Sequence, residues 1–410
     1  MTAQTTHRSL LLICAAILIG IMAVDGVSLW RTVNNHDFAV YYKAALRLRA
    51  GGDIFADTQP FRAQIEQGIS TKNASTPWPY AYPPFLAASL LPLSFMSLAV
   101  AGMVWTVLSL FGLAVSMWLL LRSQNWLTLA GCVVGSLIVY QYDPAIIALR
   151  LGQMDVVIFF LLVLAFWWLK KGHDGRAGLA LALAIGFKFF SGFVVVYLLW
   201  KRRWRAALVG GVTGALLAFG SFALVGFDGL KSYLDFSSIY TSGPFAGYLY
   251  HQSLNAIFTR MFKPNMFTYT AANLPWLADF LTVTISAVLL VGFLWLTRRA
   301  ASPAEPRFDL EYALALTTLL LVIPPAPRYS FVYLLFGFIV VAAHLVRNGG
   351  STVQFGLFGL AFILSARVVY FPVRMLWRLF QEGQWMMSAI FLWILIGWLL
   401  WKPAVAKGDA

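Results

Sequence analysis

The stretch that decides the fold is KKGHDGRAGLALALAIGFKFFSGFVVVYLLWKRRWR, residues 170–205. Its apolar middle, residues 177–199, has a basic cluster on each side. Positively charged loops stay in the cytosol, so both clusters belong on the same side of a membrane. One full span between them would separate them and invert every later segment. The pattern therefore predicts a re-entrant pair of short helices with its tip at residues 186–192, since non-helical backbone at membrane depth is tolerated where protein or a watery cavity lines it.

The rest of the chain is equally apolar. Of its 410 residues, 60% are hydrophobic and 11% are charged, whereas soluble domains carry about 25% charged residues. A mean hydropathy of +0.76 likewise excludes a soluble globular protein and favours an all-α polytopic membrane protein. We expect ten full spans besides the re-entrant pair, with both termini cytosolic. The corresponding apolar runs are residues 9–30, 85–121, 127–147, 154–169, 206–226, 276–297, 310–323, 329–346, 353–373 and 385–401.

The charge excess is mainly an orientation signal. The formal net charge is +14, which in a soluble protein would suggest a nucleic-acid partner; here we expect none. Residues 9–30 follow a short basic start and are long enough for an uncleaved first span, which a secretory signal would not need. Cys14 and Cys132 lie in apolar runs, so we expect neither a disulfide nor a metal site from them.

Two long stretches outside the apolar runs are candidates for function. Residues 31–84 and 227–275 both fall outside the cell in this topology. They are rich in aromatic residues, proline and polar groups, and are neither low-complexity nor linker-like. We expect them to fold as amphipathic caps over the active site of a single domain, residues 1–410, because ordered loops on a rigid scaffold often carry function.

Asp37 opens the first of these loops, directly after the first span. A carboxylate at this boundary can meet a lipid headgroup and a polar substrate, and can act as general base toward a sugar hydroxyl. The alternative is a helix N-cap, because Asp37 precedes an apolar face made by Tyr41, Ala44 and Ala45.

The same loop ends in WPYAYPPF, residues 78–85. Proline fixes φ and removes a hydrogen-bond donor, so this rigid segment, with Tyr80 and Tyr82, is a natural wall for a cavity. The alternative is an aromatic belt at the membrane interface followed by a proline that starts a helix.

Two further segments lie close to the membrane interior, and each contains a charged residue. Gln153 and Asp155 lie in a short outer turn, where Asp155 could simply pair with Arg150. Lys188 lies in the tip of the re-entrant pair and needs an anionic partner. A lipid-linked phosphate would provide one, and the alternatives are snorkelling to the interface or pairing with a buried acid such as Asp25 or Asp143.

The second long loop contains a dense polar cluster. His251, Gln252, Ser253 and Asn255 offer donors and acceptors suited to sugar hydroxyls, and Arg260 is a candidate for phosphate contact. A structural role for the histidine remains the alternative. No Asp-x-Asp motif or histidine pair with metal-ligand spacing occurs, and the absence of a Walker loop argues against an ATP-driven pump.

These motifs, in this order, resemble the GT-C superfamily of membrane glycosyltransferases, and specifically glycosyltransferase family 87. The matching pieces reach from about residue 37 to residue 260, and they are residues 37–45, 80–85, 152–155, 184–188 and 252–255. The resemblance implies a GT-C-like bundle at the cell (inner) membrane. It also implies an inverting glycosyltransferase of the hexosyltransferase type, which transfers a mannose-like hexose or a pentose. The reaction would take place on the extracytoplasmic face without metal or cofactor.

The substrates and roles implied by the resemblance are as follows. A polyprenyl-phosphate sugar is the donor, and a lipid or glycan is the acceptor. Asp37 matches the catalytic carboxylate, while Lys188 and Arg260 would help hold the donor phosphate. The residues expected to contact sugar or acceptor are Tyr41, Tyr80, Tyr82, Gln153, Asp155, His251, Gln252 and Asn255.

The sequence departs from the family pattern at residues 323–330, IPPAPRYS. Relatives tend to carry a tryptophan and one or two histidines after a proline here, and this chain has no histidine in that stretch. Either Arg328 takes over the phosphate contact, or the donor or acceptor differs from the mannoside case.

The sequence is also compatible with two other classes of protein. A multi-pass lipid or sugar transporter would explain a charge at membrane depth, but transporters tend to have inverted repeats and broken helices in both halves. A polymerase or ligase of undecaprenyl-linked glycans would use a diphosphate-linked donor.

Overall fold

The computed structural model describes residues 36–67, 78–241, 243, 245–367 and 383–401. The predicted first span, Cys14 and Asp25 lie outside these residues. In the described ranges all regular elements are helices, apart from two isolated β-bridges. The α-helices are α1 (Asp37–Arg49), α2 (Thr58–Glu66), α3 (Pro84–Ser89), α4 (Leu98–Ser123), α5 (Leu129–Gln141), α6 (Asp143–Leu151), α7 (Asp155–Lys170), α8 (Asp174–Phe187), α9 (Phe193–Trp200), α10 (Trp204–Gly220), α11 (Gly226–Thr241), α12 (Leu254–Phe262), α13 (Pro275–Leu296), α14 (Pro306–Val322), α15 (Leu334–Asn348), α16 (Thr352–Ile363) and α17 (Gln384–Trp401).

The helices are those of a polytopic membrane protein, as predicted. Five helical segments in the described ranges are long and apolar enough to cross a membrane: Leu98–Ser123, Trp204–Leu224, Pro275–Leu296, Arg328–Asn348 and Gln384–Trp401. Three apolar helical segments are shorter: Leu129–Gln141, Phe189–Trp200 and Thr352–Ile363.

Two of the predicted apolar runs are divided. In the run 85–121, α4 begins only at Leu98, because the Ser97 side chain caps it by accepting a hydrogen bond from the Val100 N–H. In the run 127–147, α5 ends at Gln141, and Tyr142 adopts an extended conformation before Pro144 in the first turn of α6. Proline at this position starts a helix but cannot continue one.

The stretch 170–205 folds as a helical hairpin. Helices α8 and α9 flank a short 3₁₀ turn, and the backbone is extended at Lys188, with φ −154° and ψ 111°. Arg203, just after α9, forms an ion pair of 3.3 Å with Asp174 at the start of α8. The two ends of the hairpin therefore lie on the same side, and Lys188 lies at its tip.

Glycine permits close packing of α8 against α10. A Cβ atom on Gly178 would lie 2.7 Å from the Val209 Cβ, and one on Gly214 would lie 2.9 Å from the Ile185 Cβ. Both distances are below those of ordinary contacts, so the two helices approach each other only because these positions lack side chains. This contact fixes the hairpin against the rest of the bundle.

The open end of the hairpin lies in a cluster of buried charges. Lys170 at the end of α7 pairs with Asp309 at 2.6 Å, and Lys201 pairs with Glu311 at 2.7 Å. Arg307 also contacts Glu311, at 3.0 Å. We call these five residues the basic end; they join the ends of α7 and α9 to the start of α14, and each acid is neutralised by a cation.

The two long loops pack on each other at the opposite end of the bundle. Phe61 and Ile65 of α2 form a small core with Phe236 and Ile239 of α11 and with the fully buried Phe245. Helices in both loops thus form a shared cap with its own apolar core. That this cap covers an extracytoplasmic active site stays a prediction.

The glycine contact predicts an effect on stability. In Gly214→Leu, overpacking against Ile185 should lower the free energy of unfolding by about 1–3 kcal/mol. The melting temperature in detergent, read by differential scanning fluorimetry, measures this. Gly356→Leu on α16 is the matched control, because no heavy atom lies within 4 Å of the new Cβ there. Equal melting temperatures for the two variants would contradict the packing argument.

Candidate active site

A cavity of about 550 Å³ lies between the cap and the bundle. Four parts of the chain surround it: the first long loop, the end of α6 at Leu151, the second long loop, and the segment after α14. The lining residues are His36, Asp37, Ala39, Val40, Lys43, Trp78, Leu151, Tyr240, Tyr248, Tyr250, His251, Pro327, Arg328 and Tyr329.

Backbone pairing joins two of these parts. His251 and Pro327 form an antiparallel bridge, in which the Gln252 N–H donates to the Ala326 carbonyl at 2.7 Å. The Arg328 N–H donates to the Tyr250 carbonyl at 2.8 Å. The second loop and the segment after α14 therefore form one continuous wall of the cavity.

Asp37 is held by a hydrogen-bond network that begins with Gln153. The Gln153 Nε2 donates to the Asp37 carboxylate. The Gln153 Oε1 accepts from the Tyr41 hydroxyl at 2.7 Å and from the Tyr82 hydroxyl at 3.0 Å. Two donors on Oε1 leave the amide only one orientation, with its N–H group toward Asp37. Asp37, Tyr41, Tyr82 and Gln153, predicted from distant parts of the sequence, thus form one cluster.

The N-cap alternative for Asp37 is wrong. Asp37 is the first residue of α1, and the N-cap position belongs to His36, whose side chain makes no capping hydrogen bond. The carboxylate is directed to Gln153, which lies far away in the sequence.

The pKa of Asp37 is raised from its usual value to about 6. The main cause is burial, which penalises the charged carboxylate, and the negative charge of Asp155 acts in the same direction. The Gln153 hydrogen bond and the positive charge of Lys188 lower the pKa and oppose this shift. A carboxylate with this pKa is charged at neutral pH but basic enough to accept a proton.

Lys188 and Asp155 form a buried ion pair beside this cluster. The Lys188 Nζ lies 3.0 Å from the Asp155 Oδ2, and the Asp155 Oδ1 also accepts from the Ser330 hydroxyl at 2.6 Å and the Tyr333 hydroxyl at 2.7 Å. Asp155 is fully buried. The anionic partner of Lys188 is therefore a buried acid, as one alternative predicted, but it is Asp155 rather than Asp143. Asp155 forms no ion pair with Arg150, so that alternative is wrong. Neither Lys188 nor Asp155 is among the residues that line the cavity, and their expected direct contacts with phosphate and sugar stay predictions.

Two cations line the cavity, Lys43, which pairs with Asp57 at 3.0 Å, and Arg328. Arg328 is held in a different way. Its guanidinium lies 4.3 Å from the centre of the Tyr250 ring and 5.7 Å from that of Trp385. Within the part of the chain that the structure describes, no carboxylate forms an ion pair with it. The side chain is held by aromatic faces, and its charge is available to an anion in the cavity.

Two predicted residues of the second loop bond its backbone. The Arg260 Nη1 donates to the carbonyls of Tyr248 at 3.0 Å and His251 at 2.9 Å, and the side chain is only 2% exposed. The Gln252 Nε2 donates to the Leu249 carbonyl at 3.0 Å. Both lie outside the cavity lining and position this loop, while the expected contacts with phosphate and sugar stay predictions.

Asn255 and Tyr80 are likewise structural. The Asn255 Nδ2 donates to the carbonyl of Thr241, which ties α12 to the end of α11. The Tyr80 hydroxyl donates to the Pro83 carbonyl and accepts from the Ala87 N–H, which fixes the start of α3. Their predicted sugar contacts stay predictions, since these polar groups are used within the protein here.

His251 lines the cavity in its neutral form. Its ring packs between Tyr240 and Tyr248, with centroid distances of 4.9 and 5.7 Å. Burial, together with the positive charges of Arg260 and Lys188, lowers the pKa of His251 to about 3. The side chain therefore does not act as a cation toward phosphate at neutral pH.

Sequence reasoning missed several residues here. Tyr240, Tyr248 and Tyr250 line the cavity, and Ser330 and Tyr333 hold Asp155. The density of tyrosines between residues 240 and 250 is a signal that could have drawn attention to the first three. Within the described residues no group of three or more His, Cys, Asp or Glu side chains is arranged to hold a metal ion.

Comparison with known proteins decides the family. The sequence model of glycosyltransferase family 87 matches residues 80–324. The chain belongs to this family. The family 87 match includes Gln153, Lys188 and His251, and it begins after Asp37 and ends before Arg328.

Similar proteins are mycobacterial glycosyltransferases. An alpha-(1->3)-arabinofuranosyltransferase of Mycobacterium tuberculosis is 24% identical over 387 residues, which is 89% of this chain and 76% of that protein. A second similar protein is a polyprenol-phosphate-mannose-dependent alpha-(1-2)-phosphatidylinositol mannoside mannosyltransferase of Mycolicibacterium smegmatis. It is 24% identical over 229 residues, which is 52% of this chain and 49% of that protein. No solved structure matches this family 87 glycosyltransferase.

The Gln153 network predicts the pH dependence of glycosyl transfer. In Gln153→Leu, loss of the hydrogen bond that favours the charged carboxylate should raise the pKa of Asp37 further above about 6. The acid limb of the pH–rate profile, where activity is lost as pH falls and Asp37 is protonated, should therefore move to higher pH. Gln59→Leu is the matched control, because Gln59 bonds Asp235 on the exposed surface of the cap. An unmoved acid limb in Gln153→Leu would argue against Asp37 as the group that titrates.

The buried ion pair predicts a stability pattern. Lys188→Met should cost about 3–5 kcal/mol of unfolding free energy, because it leaves the Asp155 charge unpaired in the interior. Lys188→Met combined with Asp155→Asn should recover part of this loss. Lys263→Met is the control, since its partner Asp279 is exposed and surface pairs contribute at most about 1 kcal/mol. Thermal unfolding in detergent compares the three, and a double variant no more stable than Lys188→Met would contradict the pairing argument.

Proposed function

We propose that this protein is an inverting glycosyltransferase that uses a polyprenyl-phosphate sugar and glycosylates a hydroxyl of a lipid or glycan acceptor. The observation that carries the proposal is that Asp37 and Arg328 line the same cavity. One is a carboxylate with a pKa of about 6, and the other is a cation that forms no ion pair within the described residues, although its charge interacts with that of Asp143. These are the two groups that a single displacement at a sugar phosphate needs.

The reaction follows from these two groups. Asp37 accepts the proton of the acceptor hydroxyl as its oxygen attacks the anomeric carbon of the donor sugar. The bond from that carbon to the phosphate oxygen breaks on the opposite face, so the configuration inverts. The bonding electrons stay with the oxygen, and polyprenyl phosphate leaves as a monoester dianion. Arg328 stabilises the charge that develops on the phosphate, and no metal ion or cofactor enters this scheme.

Lys188 and Arg260 take indirect roles in this scheme. The charge of Lys188 is balanced by Asp155, so Lys188 tunes the electrostatics around Asp37 rather than binding phosphate itself. Arg260 holds the carbonyls of the loop that carries His251 and Tyr248. Arg328 is therefore the residue that takes over phosphate contact in a chain without histidine at residues 323–330.

The sugar is a hexose such as mannose or a pentose such as arabinose. The names of the relatives favour both, since one transfers arabinofuranose and another depends on polyprenol-phosphate mannose. The latter acts on a phosphatidylinositol mannoside, which supports a lipid-linked acceptor.

We further propose that the cavity faces the extracytoplasmic side of the cell membrane. The basic end, with Lys170, Lys201 and Arg307, lies away from the cavity, and positive residues favour the cytosol. The hairpin α8–α9 is then re-entrant, entering and leaving on the cytosolic side with Lys188 at its tip. Together with ten full spans, this arrangement puts both termini in the cytosol and makes residues 1–410 one domain.

The proposal is tested with purified protein in nanodiscs and radiolabelled polyprenyl-phosphate mannose or arabinose. A membrane lipid extract supplies the acceptor. Asp37→Asn should reduce transfer by about 10²–10⁴-fold, the usual contribution of a general base. Arg328→Gln should reduce it by about 10²–10³-fold, as expected for loss of one charge-stabilising group.

Two controls match these variants in chemistry. Asp235→Asn and Arg62→Gln each change a charged side chain of the cap outside the cavity lining, and both should retain transfer. Undiminished transfer in Asp37→Asn would overturn the assigned mechanism. Movement of the lipid across proteoliposomes without transfer would favour a transporter, and use of only diphosphate-linked donors would favour a polymerase or ligase.

A further inference from the structure

In the described part of the chain, tyrosines of the interior and tyrosines of the cavity differ in how their hydroxyls are used. Interior tyrosines use their hydroxyls within the protein, as Tyr142 does toward the Phe331 carbonyl at 2.7 Å and Tyr312 does toward the Leu162 carbonyl at 2.9 Å. The hydroxyls of Tyr240, Tyr248 and Tyr250 make no hydrogen bond to any described residue, although all three line the cavity. Their polar ends are therefore available to a molecule in the cavity.

Trp78 extends this surface from the other long loop. Its ring lies 5.9 Å from that of Tyr248, which lies 5.1 Å from that of Tyr250. The indole N–H of Trp78 likewise has no partner among the described residues. We call Trp78, Tyr240, Tyr248 and Tyr250 the aromatic wall.

The aromatic wall is fixed from behind. The fully buried Phe245 contacts Trp78 at 5.9 Å, Tyr240 at 5.4 Å and Tyr248 at 5.0 Å, measured between ring centroids. Phe245 belongs to the small core shared by the two loops. A surface packed in this way is preorganised, so a ligand does not have to order it on binding.

The chemistry of the wall fits a sugar ring. A pyranose or furanose ring presents apolar C–H groups on one face and hydroxyls around its edge. Aromatic rings cover the apolar face, while phenol and indole donors reach the hydroxyls. The four wall residues carry no charge, and the cation Arg328 lies over the Tyr250 edge, so a phosphate would bind at that edge rather than across the rings.

The position of the wall relates it to the acceptor. Its four residues come from the two long loops of the cap, whereas the donor is held by its lipid in the membrane and by its phosphate at Arg328. Arg328 lies over one edge of the wall, at Tyr250, and Asp37 lines the same cavity. A sugar on the wall can therefore present a hydroxyl to Asp37 while the donor occupies the remaining space.

We propose that the aromatic wall binds a sugar ring of the acceptor, so that the acceptor is a glycan or glycolipid with an exposed sugar. A lipid alcohol or a phospholipid without a sugar would not fit the aromatic wall, because neither has a sugar ring. This inference rests on the proposed function, since it assigns the second substrate of the same cavity.

The test measures sugar binding without any donor. Saturation-transfer NMR on protein in nanodiscs uses methyl α-mannopyranoside and methyl α-arabinofuranoside as probes, with glycerol as a non-ring polyol. At least one glycoside should give signals concentrated on its ring C–H protons, and glycerol should not. Trp78→Leu and Tyr248→Leu should each weaken binding about fivefold to tenfold, the effect of losing one stacked ring.

Conservative and control variants separate recognition from folding. Trp78→Phe and Tyr248→Phe keep a ring and should retain part of the binding, even if the leucine variants are poorly folded. Trp276→Leu is the matched control, because this tryptophan is 65% exposed and lies outside the cavity. Unchanged glycoside binding in folded Trp78→Leu and Tyr248→Leu would overturn the proposal, as would equal signals from glycerol.

A transfer assay distinguishes this inference from the proposed function. With an accepted glycolipid, the wall variants should raise the acceptor KM more than they lower kcat. If glycosides bind as expected but no polyprenyl-phosphate sugar is used, the donor assignment fails and the wall is retained. If transfer occurs and the wall variants leave the acceptor KM unchanged, the wall assignment fails and the proposed function is retained.

Discussion

The buried ion pair between Lys188 and Asp155 joins the fold to the site. Lys188 is the tip of the helical hairpin, and Asp155 is the first residue of the helix that follows the turn containing Gln153. The Ser330 and Tyr333 hydroxyls also donate hydrogen bonds to Asp155, so the segment after α14 is held to the same point. Removing one partner of such a pair leaves a charge in the interior, at a cost of about 3–5 kcal/mol. The pair therefore fixes three distant parts of the chain around one cavity.

The electrostatics of the site follow from that point. Gln153 is two residues before Asp155, and its amide is oriented by Tyr41 and Tyr82 toward Asp37. Burial raises the pKa of Asp37, and the nearby hydrogen bond and cation limit the rise to about 6. The Asp37 carboxylate thus has a pKa suited to the general-base role proposed for it. At the basic end, two other interior acids, Asp309 and Glu311, are paired with cations.

How much the sequence could predict depends on the kind of signal. The basic clusters on both sides of residues 177–199 predicted a pair of short helices, and the structure has a hairpin with both ends on one side, because charge asymmetry acts along the local sequence. Asp37, Tyr41, Tyr82 and Gln153 were named as site residues, and they lie together.

The partners of the buried charges could not be predicted in the same way. Nothing in the local sequence reports that the hairpin tip reaches the turn at Asp155, so the partner of Lys188 was misassigned. Arg260 was expected at phosphate, but its direction is set by the carbonyls of a loop that folds back over α12. Whether a polar side chain faces a cavity or a backbone group is decided by tertiary packing. In the proposed site, Asp37 and Arg328 hold the reacting groups while Lys188 stays paired with Asp155. A structure with a bound polyprenyl-phosphate analogue is the decisive measurement. The phosphate should contact the Arg328 guanidinium with the Lys188–Asp155 pair intact, and a phosphate bound to Lys188 or Arg260 away from Arg328 would contradict this assignment.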